Sequence, residues 1–459
     1  MKKLAILLAL ATLLGCFAGC GGNDAQPGQT AAPVETTQPA PAETTQPAAP
    51  ELTGSVTITG EAVADGTVKA EATLDQADAE ATYEWAVDGT VLAGFTGDTC
   101  QVPVSAAGKN LTVSVKSAAY SGSVTSEAME VKPMSGTKMT LAGLYNDVKI
   151  LGRTPVSGTG INVGWPGTGF EMKVNSTGNP MKICVSAGTN TSSIPYFCVY
   201  VDGELLDRPM FMSTLEYTLE LPAGEHTVVF YRDSANTPGV PCKIDYIDFD
   251  GEILAPVYKD LYIEVVGDSI ACGLGSLGTY TPNVDWVNEE HSVTNSFGWY
   301  VAQDFNADVS VIAKGGIGAV KAANDKTMPQ IYPYINGYVD QTPYEFTRKP
   351  DLVLVELGAN DGAFTVEEYT AGLTQVYQMI LDGYGEDTKI LWVGKNQKFA
   401  NAALEICETL GIEGHAVVYA YGVSGSGPSI AGAAHPNQEE HRAYADAITQ
   451  YIKDNNLLP

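Results

Sequence analysis

Beyond residue 260 the chain carries five apolar runs: LYIEVVG (261–267), VSVIAKGG (309–316), DLVLVELG (351–358), KILWVG (389–394) and HAVVYAYG (415–422). A strand with one wet face alternates apolar and polar residues. These runs do not alternate, so both their faces must be buried, and a sheet buried on both faces is a parallel sheet covered by helices. The segments between them agree. Thr365 with Glu368 three residues on forms a capping box, and Leu373, Val376, Tyr377 and Ile380 follow on one helical stripe. A last helix is expected to open at Pro436 and to bury Tyr444, Ala447, Ile448 and Tyr451. The expected architecture of residues 257–459 is a doubly wound α/β domain.

Upstream, the period is two. FEMKV, MKICVSAG, YFCVYVDGELL, EYTLELPAGEHTVVFYR and KIDYIDFDGEIL predict a β-sandwich of jelly-roll type over 138–256. SVTITG, GTVKAEATL, ATYEWAVDG and NLTVSVKSA predict a first sandwich over 51–133. That stretch resembles bacterial Ig-like domains, with Trp85 as core tryptophan. It contains Cys100 alone, so the inter-sheet disulfide of antibody domains is impossible there. The fold class is therefore multidomain: two β-sandwiches followed by an α/β domain.

Residues 21–50, rich in Pro, Thr, Gln and Ala, lack the apolar groups to build a core and read as an extended tether. Residues 1–20 carry Lys2 and Lys3 ahead of an apolar run too short to span a bilayer, the pattern of an export signal. LLGC and FAGC resemble a bacterial lipobox, implying lipid on Cys20 (or Cys16), so the expected location is extracellular, lipid-anchored at the bacterial cell surface. The net charge of −29 argues against nucleic acid and anionic membrane surfaces as partners. Cysteines 100, 184, 198, 242, 272 and 407 show no CxxC pair and no zinc spacing, and are expected to be buried thiols. With no HExxH either, no metal and no cofactor are expected. A monomer is expected.

In a doubly wound sheet, ligands bind beyond the carboxyl ends of the strands. VGDSIACG follows the first strand with Ser269, AKGGIGAV the second with Gly315, Gly316 and Gly318, and ELGANDGAF the third with Asn360. GAAHPN (432–437), with His435, opens the last helix. Together they supply what acyl transfer requires. A serine hydroxyl attacks only if a base takes its proton, and an imidazole can. The oxyanion that forms needs fixed donors: the N–H of Ser269, the N–H at Gly316 and the Asn360 amide.

These four blocks, in order, resemble those of the SGNH (GDSL-type) hydrolases. A sandwich running directly into VVGDSIACGLG, with KTMPQIYPY (326–334) between the second and third strands, resembles carbohydrate esterase family 2 over about residues 138–459. The resemblance implies removal of acetyl groups from plant polysaccharides such as xylan or glucomannan, with Ser269 and His435 catalytic. Two departures stand out. The SGNH acid, three or two residues before the histidine, would fall on Gly432 or Ala433, and neither is acidic. The family includes members with a Ser–His dyad, so a main-chain oxygen near residues 432–434 is expected to hold the far imidazole proton. The serine common before the oxyanion glycine is here Gly315, leaving the register between Gly316 and Gly318 open.

Asp268, Trp286 and Phe364 are candidates to line the substrate site, with Trp299 and Tyr421 as further possible sugar platforms. Trp165 is expected in the jelly-roll core. His441 is expected at the surface, and His291 in the long loop after the first strand, with lining of the cleft the minority reading. GLGSLG (273–278) reads as a substrate loop rather than a dinucleotide fingerprint, since it does not open a helix. GVSGSG (422–427) reads as plain loop. The alternatives are a GDSL-type lipase or thioesterase, and a non-catalytic glycan-binding surface protein.

Overall fold

Parallel strands must be joined by crossovers, and here the crossovers are helices on both faces of the expected sheet. In the computed structural model, which describes residues 49–189, 194–235, 242–281, 288–336, 341–427 and 434–459, five strands form it: β1 (Leu261–Gly267), β2 (Ala307–Ala313), β3 (Leu352–Glu356), β4 (Ile390–Gly394) and β5 (His415–Val418). Their order is β2-β1-β3-β4-β5, with every pair parallel. One face is covered by α1 (Phe297–Asp304) and α5 (Gln438–Asp454), whose Phe297, Val301, Tyr444 and Ile448 share a core with Val265 and Leu354. The other face is covered by α2 (Met328–Ile331), α3 (Val366–Tyr384) and α4 (Gln397–Leu410), whose Tyr369, Val376 and Phe399 pack on Val266 and Val353.

The capping box at Thr365 and Glu368 forms as expected, and the stripe of Leu373, Val376, Tyr377 and Ile380 is buried. The last helix begins two residues later than expected. Asn437 is its N-cap, in a second capping box with Glu440, and Pro436 precedes it. Its buried stripe includes His441, Tyr444, Ala445 and Ile448, while Ala447 and Tyr451 stay half-buried. His441, expected at the surface, is fully buried, and its Nδ1 accepts from the Phe297 N–H at 3.2 Å.

Residues 138–254 form two antiparallel sheets of six strands each around Phe170, Phe230, Ile183 and Ile247. The VDGE turn is a two-residue hairpin loop: Val201 pairs with Glu204, and Asp202 and Gly203 both adopt positive φ (52° and 87°). Further upstream, sheets of three and five strands enclose Trp85, whose indole N–H donates to Gly97 O at 3.0 Å. Cys100 is buried beside it, and the five cysteines downstream of it are likewise free and buried. The lipobox cysteines and most of the tether lie outside the described residues.

The second sandwich is keyed into the α/β sheet by charge. Arg153, fully buried, donates from Nη2 to Glu264 of β1 at 3.2 Å and from Nη1 to the Tyr332 carbonyl. Its guanidinium lies over the rings of Tyr344 (4.1 Å) and Tyr332 (4.5 Å). Glu264 also accepts from the hydroxyls of Tyr332 (2.7 Å) and Tyr384 (3.0 Å). Trp165 joins the same seam. Rather than filling the sandwich core, it packs in the α/β core, where its N–H donates to Ile335 O at 2.7 Å.

Removing one partner of a buried pair strands the other charge. Arg153→Leu should therefore lower the unfolding free energy by about 3–5 kcal/mol in chemical denaturation, and Arg153→Leu with Glu264→Leu should recover part of that loss.

Candidate active site

The strand order reverses direction at β1: the chain first steps to β2 on one side, then to β3 on the other. The crevice this leaves lies beyond the carboxyl ends of β1 and β3, where the residues that follow those strands meet. Ser269 stands two residues past β1, and His435 just ahead of α5. His435 Nε2 lies 2.8 Å from Ser269 Oγ. Ser269 is 7 % exposed and opens onto a cavity of about 400 Å³ shared with His435, Asn360, Trp392, Phe399 and Tyr421.

The histidine is held by backbone. Gly425 N–H donates to His435 O at 2.7 Å, and His435 N–H donates to Ser426 O at 3.2 Å. Ser426 N–H in turn donates to Gly275 O at 3.1 Å, in the loop that follows Ser269. The GVSGSG segment is thus the clamp that registers His435 against the loop of Ser269, a role its composition does not advertise. The GLGSLG loop does not line the cavity. Gly273 and Gly275 have φ of 65° and 70°, and a Cβ at Gly273 would strike the Ser292 carbonyl, so these glycines are there for close backbone packing.

Among the second-block glycines, the N–H of Gly315 faces the Cys272 sulfur and that of Gly318 donates to Lys321 O at 2.9 Å. Gly316, at φ 80°, has no such bond among the described residues. Gly318 is needed for another reason: a Cβ there would overlap the Asp361 carboxylate, which accepts from the N–H groups of Ala319 (3.0 Å), Val320 (2.9 Å) and Lys321 (2.8 Å). Asp361, unremarked in the sequence beyond its place in GAND, ties the loop after β2 to the loop after β3.

The Asn360 amide donates to Asp268 Oδ2 at 2.9 Å and to Ile317 O at 2.8 Å. It can reach an oxyanion only by sharing or releasing the Ile317 carbonyl. Asp268 does not line the substrate site. It is fully buried behind Ser269, where Oδ1 accepts from the Ile270 N–H at 2.9 Å and lies 3.5 Å from Ser269 Oγ. The side chain turns inward because the loop after β1 offers it donors there. Phe364 also stays out of the cavity, half-buried in a turn whose N–H donates to Asp361 O. Trp299 packs on Tyr231 (5.1 Å between rings) at the seam with the sandwich. Of the proposed platforms, Tyr421 lines the cavity, under the Lys395 ammonium at 4.2 Å. Trp286, Gly432 and Ala433 lie outside the described residues. Among the described residues no group of His, Cys, Asp and Glu is arranged to hold a metal ion.

A serine hydroxyl and an imidazole in contact at the switch point of such a sheet are what a serine carboxylic-ester hydrolase of SGNH type requires. Known proteins similar to this chain agree. An acetylxylan esterase / glucomannan deacetylase of Cellvibrio japonicus is 25 % identical over 343 residues, covering 70 % of this chain and 92 % of that protein. The cellulase/esterase CelE of Acetivibrio thermocellus is 28 % identical over 229 residues, 47 % of this chain and 26 % of that longer protein. Among solved structures, an acetyl xylan esterase from the rumen bacterium Butyrivibrio proteoclasticus superposes with a TM-score of 0.61 at 20 % identity, over 70 % of this chain and 99 % of its own. A family two carbohydrate esterase from Clostridium thermocellum, in complex with cellohexaose, gives 0.59 at 22 % identity, over 68 % and 100 %. No family model matches. Curated and structural neighbours together point to carbohydrate esterase family 2, the acetyl xylan esterases of SGNH type.

Two further histidines frame the site. His291, 4 % exposed, accepts from the Gly275 N–H at 3.1 Å, and burial pushes its pKa down to about 4, with the His435 and Arg208 charges adding to the effect. Burial likewise pushes His441 down to about 3. Both are neutral when folded and protonate near 6.5 when unfolded, so their stabilisation is complete above pH ~6.5 and is lost progressively as pH falls toward ~4. Asp147, Asp268 and Glu356, all raised by burial, act in the opposite sense. Read by difference in urea denaturation, the stability of wild type relative to His441→Gln should fall by up to about 1.4 kcal/mol per pH unit between about pH 6.5 and about pH 4.5.

Proposed function

We propose that this protein is a carbohydrate O-acetylesterase that deacetylates plant polysaccharides such as xylan and glucomannan through a Ser269–His435 dyad. The observation that carries the reading is the 2.8 Å contact between Ser269 Oγ and His435 Nε2 at the mouth of a cavity with aromatic walls. The relatives named above, esterases of acetylated glycans, supply the substrate class.

Ser269 Oγ attacks the acetyl carbonyl as His435 Nε2 takes its proton. The N–H groups of Ser269 and Gly316 and the Asn360 amide stabilise the oxyanion, the last in exchange for its bond to Ile317 O. Collapse expels the sugar alkoxide, which His435 protonates, leaving acetyl on Ser269. Water attacks that ester with His435 as base again, releasing acetate and restoring the serine. The sequence before His435 holds no carboxylate at the usual positions, and this is what supports a dyad. The N-terminal signal and lipobox support an extracellular protein tethered by lipid on Cys20 or Cys16, and the alternating strands around Trp85 support an Ig-like spacer.

The test is acetate release from acetylated xylan and glucomannan. Ser269→Ala and His435→Ala should each lose at least about a thousandfold in kcat. Full activity in Ser269→Ala would refute the assignment. Binding of glycan by wild type without any acetate release would favour a non-catalytic protein, and hydrolysis of lipid esters alone would favour a lipase.

A further inference from the structure

Glu356 ends β3 directly beside the nucleophile's strand, in register with Gly267. It lines the same cavity as Ser269 and His435, is 2 % exposed, and has no part in the steps above. Its Oε2 lies 3.4 Å from the N–H of Asp268, and the missing Cβ of Gly267 makes the room: a Cβ there would sit 3.3 Å from that oxygen and 2.5 Å from the Ala271 Cβ. Glu356 and Asp268 are therefore two carboxyl groups side by side in a fully buried place, and among the described residues neither is in a salt bridge.

Two adjacent carboxylates without a counter-ion cannot both ionise out of water, so the pair must hold a proton. The hydrogen bonds show which partner holds it. Asp268 already accepts from the Ile270 N–H and the Asn360 amide, with the Ser269 hydroxyl 3.5 Å away, which suits an anion. Among the described residues, the one N–H that donates to Glu356 is that of Asp268, over a long 3.4 Å. Burial raises the pKa of both, and for Glu356 the neighbouring Asp268 charge raises it further. The other groups facing the pair do not alter the balance. Asp361 repels a charge on Asp268, and Lys395 favours one on Glu356 from the cavity wall. The phenols of Tyr369, Tyr421 and Tyr444 are pushed up by burial and stay neutral.

We propose that Glu356 is a positioning residue for the ester hydrolysis assigned above: as a neutral acid it donates a hydrogen bond to Asp268, and the one charge the pair carries orients the Asn360 amide beside the oxyanion site. The inference rests on that assignment for its kinetic readout, but not for its spectroscopic one. Glu356 touches no reacting atom. It acts through Asp268 on Asn360, so its loss falls on kcat more than on KM.

The experiment pairs Glu356→Gln with Glu356→Leu. The amide of Gln can still donate to Asp268, whereas Leu cannot. Glu356→Gln should keep kcat on p-nitrophenyl acetate within about threefold of wild type, and Glu356→Leu should lose about tenfold or more, with KM within about threefold in both. The infrared difference spectrum of wild type minus Glu356→Gln at about pH 8 should show the carbonyl stretch of an un-ionised carboxylic acid, far above the unperturbed carboxylate pKa. An absent acid band, a Glu356→Gln as impaired as Glu356→Leu, or a Glu356→Leu of wild-type kcat would each overturn the proposal. Activity surviving in Ser269→Ala would sink the esterase assignment instead and leave the infrared result standing.

Discussion

A parallel strand cannot turn back on itself in two residues, so each return to the sheet needs a helix, and the helices leave only the strand ends open. In this protein the step from β2 across β1 to β3 parts two neighbouring strand ends, and everything reactive collects at that gap. Ser269 and Asn360 lie within a few residues of β1 and β3, Gly316 follows β2, and His435 arrives at the head of α5. The loops between them are short of freedom: Asp361 binds three successive N–H groups of the loop after β2, and the backbone of residues 425–426 pairs with His435. The geometry of the site is carried mainly by main chain, which substitution of side chains disturbs little.

The sandwich ahead of the sheet takes part in the same rigidity. Arg153 crosses from the sandwich to Glu264 in the middle of β1, the strand that delivers Ser269. Asp233, fully buried, accepts from Arg208 at 2.6 Å and from Ser292 and Thr294 of the loop that packs on Gly273. Such pairs repay their desolvation only when geometry and further hydrogen bonds are good, and here both carboxylates are multiply bonded. They add little net stability over apolar packing, but they admit one register of sandwich against sheet.

The sheet, its helices and the blocks bearing Ser269, Asn360 and His435 were legible in the sequence because they rest on periodicity and on residues whose chemistry is scarce. The capping box at Thr365 was legible for the same reason, while the one at Asn437 hid behind Pro436. What was not legible depends on side-chain direction. Asp268 sits next to the nucleophile in sequence yet points into the core, and His441 looked like a surface residue on a polar helix until α1 closed over it. Trp165 belongs to one segment and packs in another's core. GVSGSG and Asp361 act through backbone bonds, which composition does not encode. Trp392 and Phe399 form the cavity wall because β4 and α4 place them there, a consequence of topology rather than of any local motif.

The proposed chemistry converges on one pair of atoms, Ser269 Oγ and His435 Nε2. Covalent labelling with an organophosphonate, mapped by peptide mass spectrometry, reads the nucleophile itself without any assumption about the glycan. One adduct, on Ser269, forming at least about a hundredfold more slowly in His435→Ala, is the result expected of a serine activated by that imidazole. An adduct on another serine, or an equal labelling rate without the histidine, would contradict it.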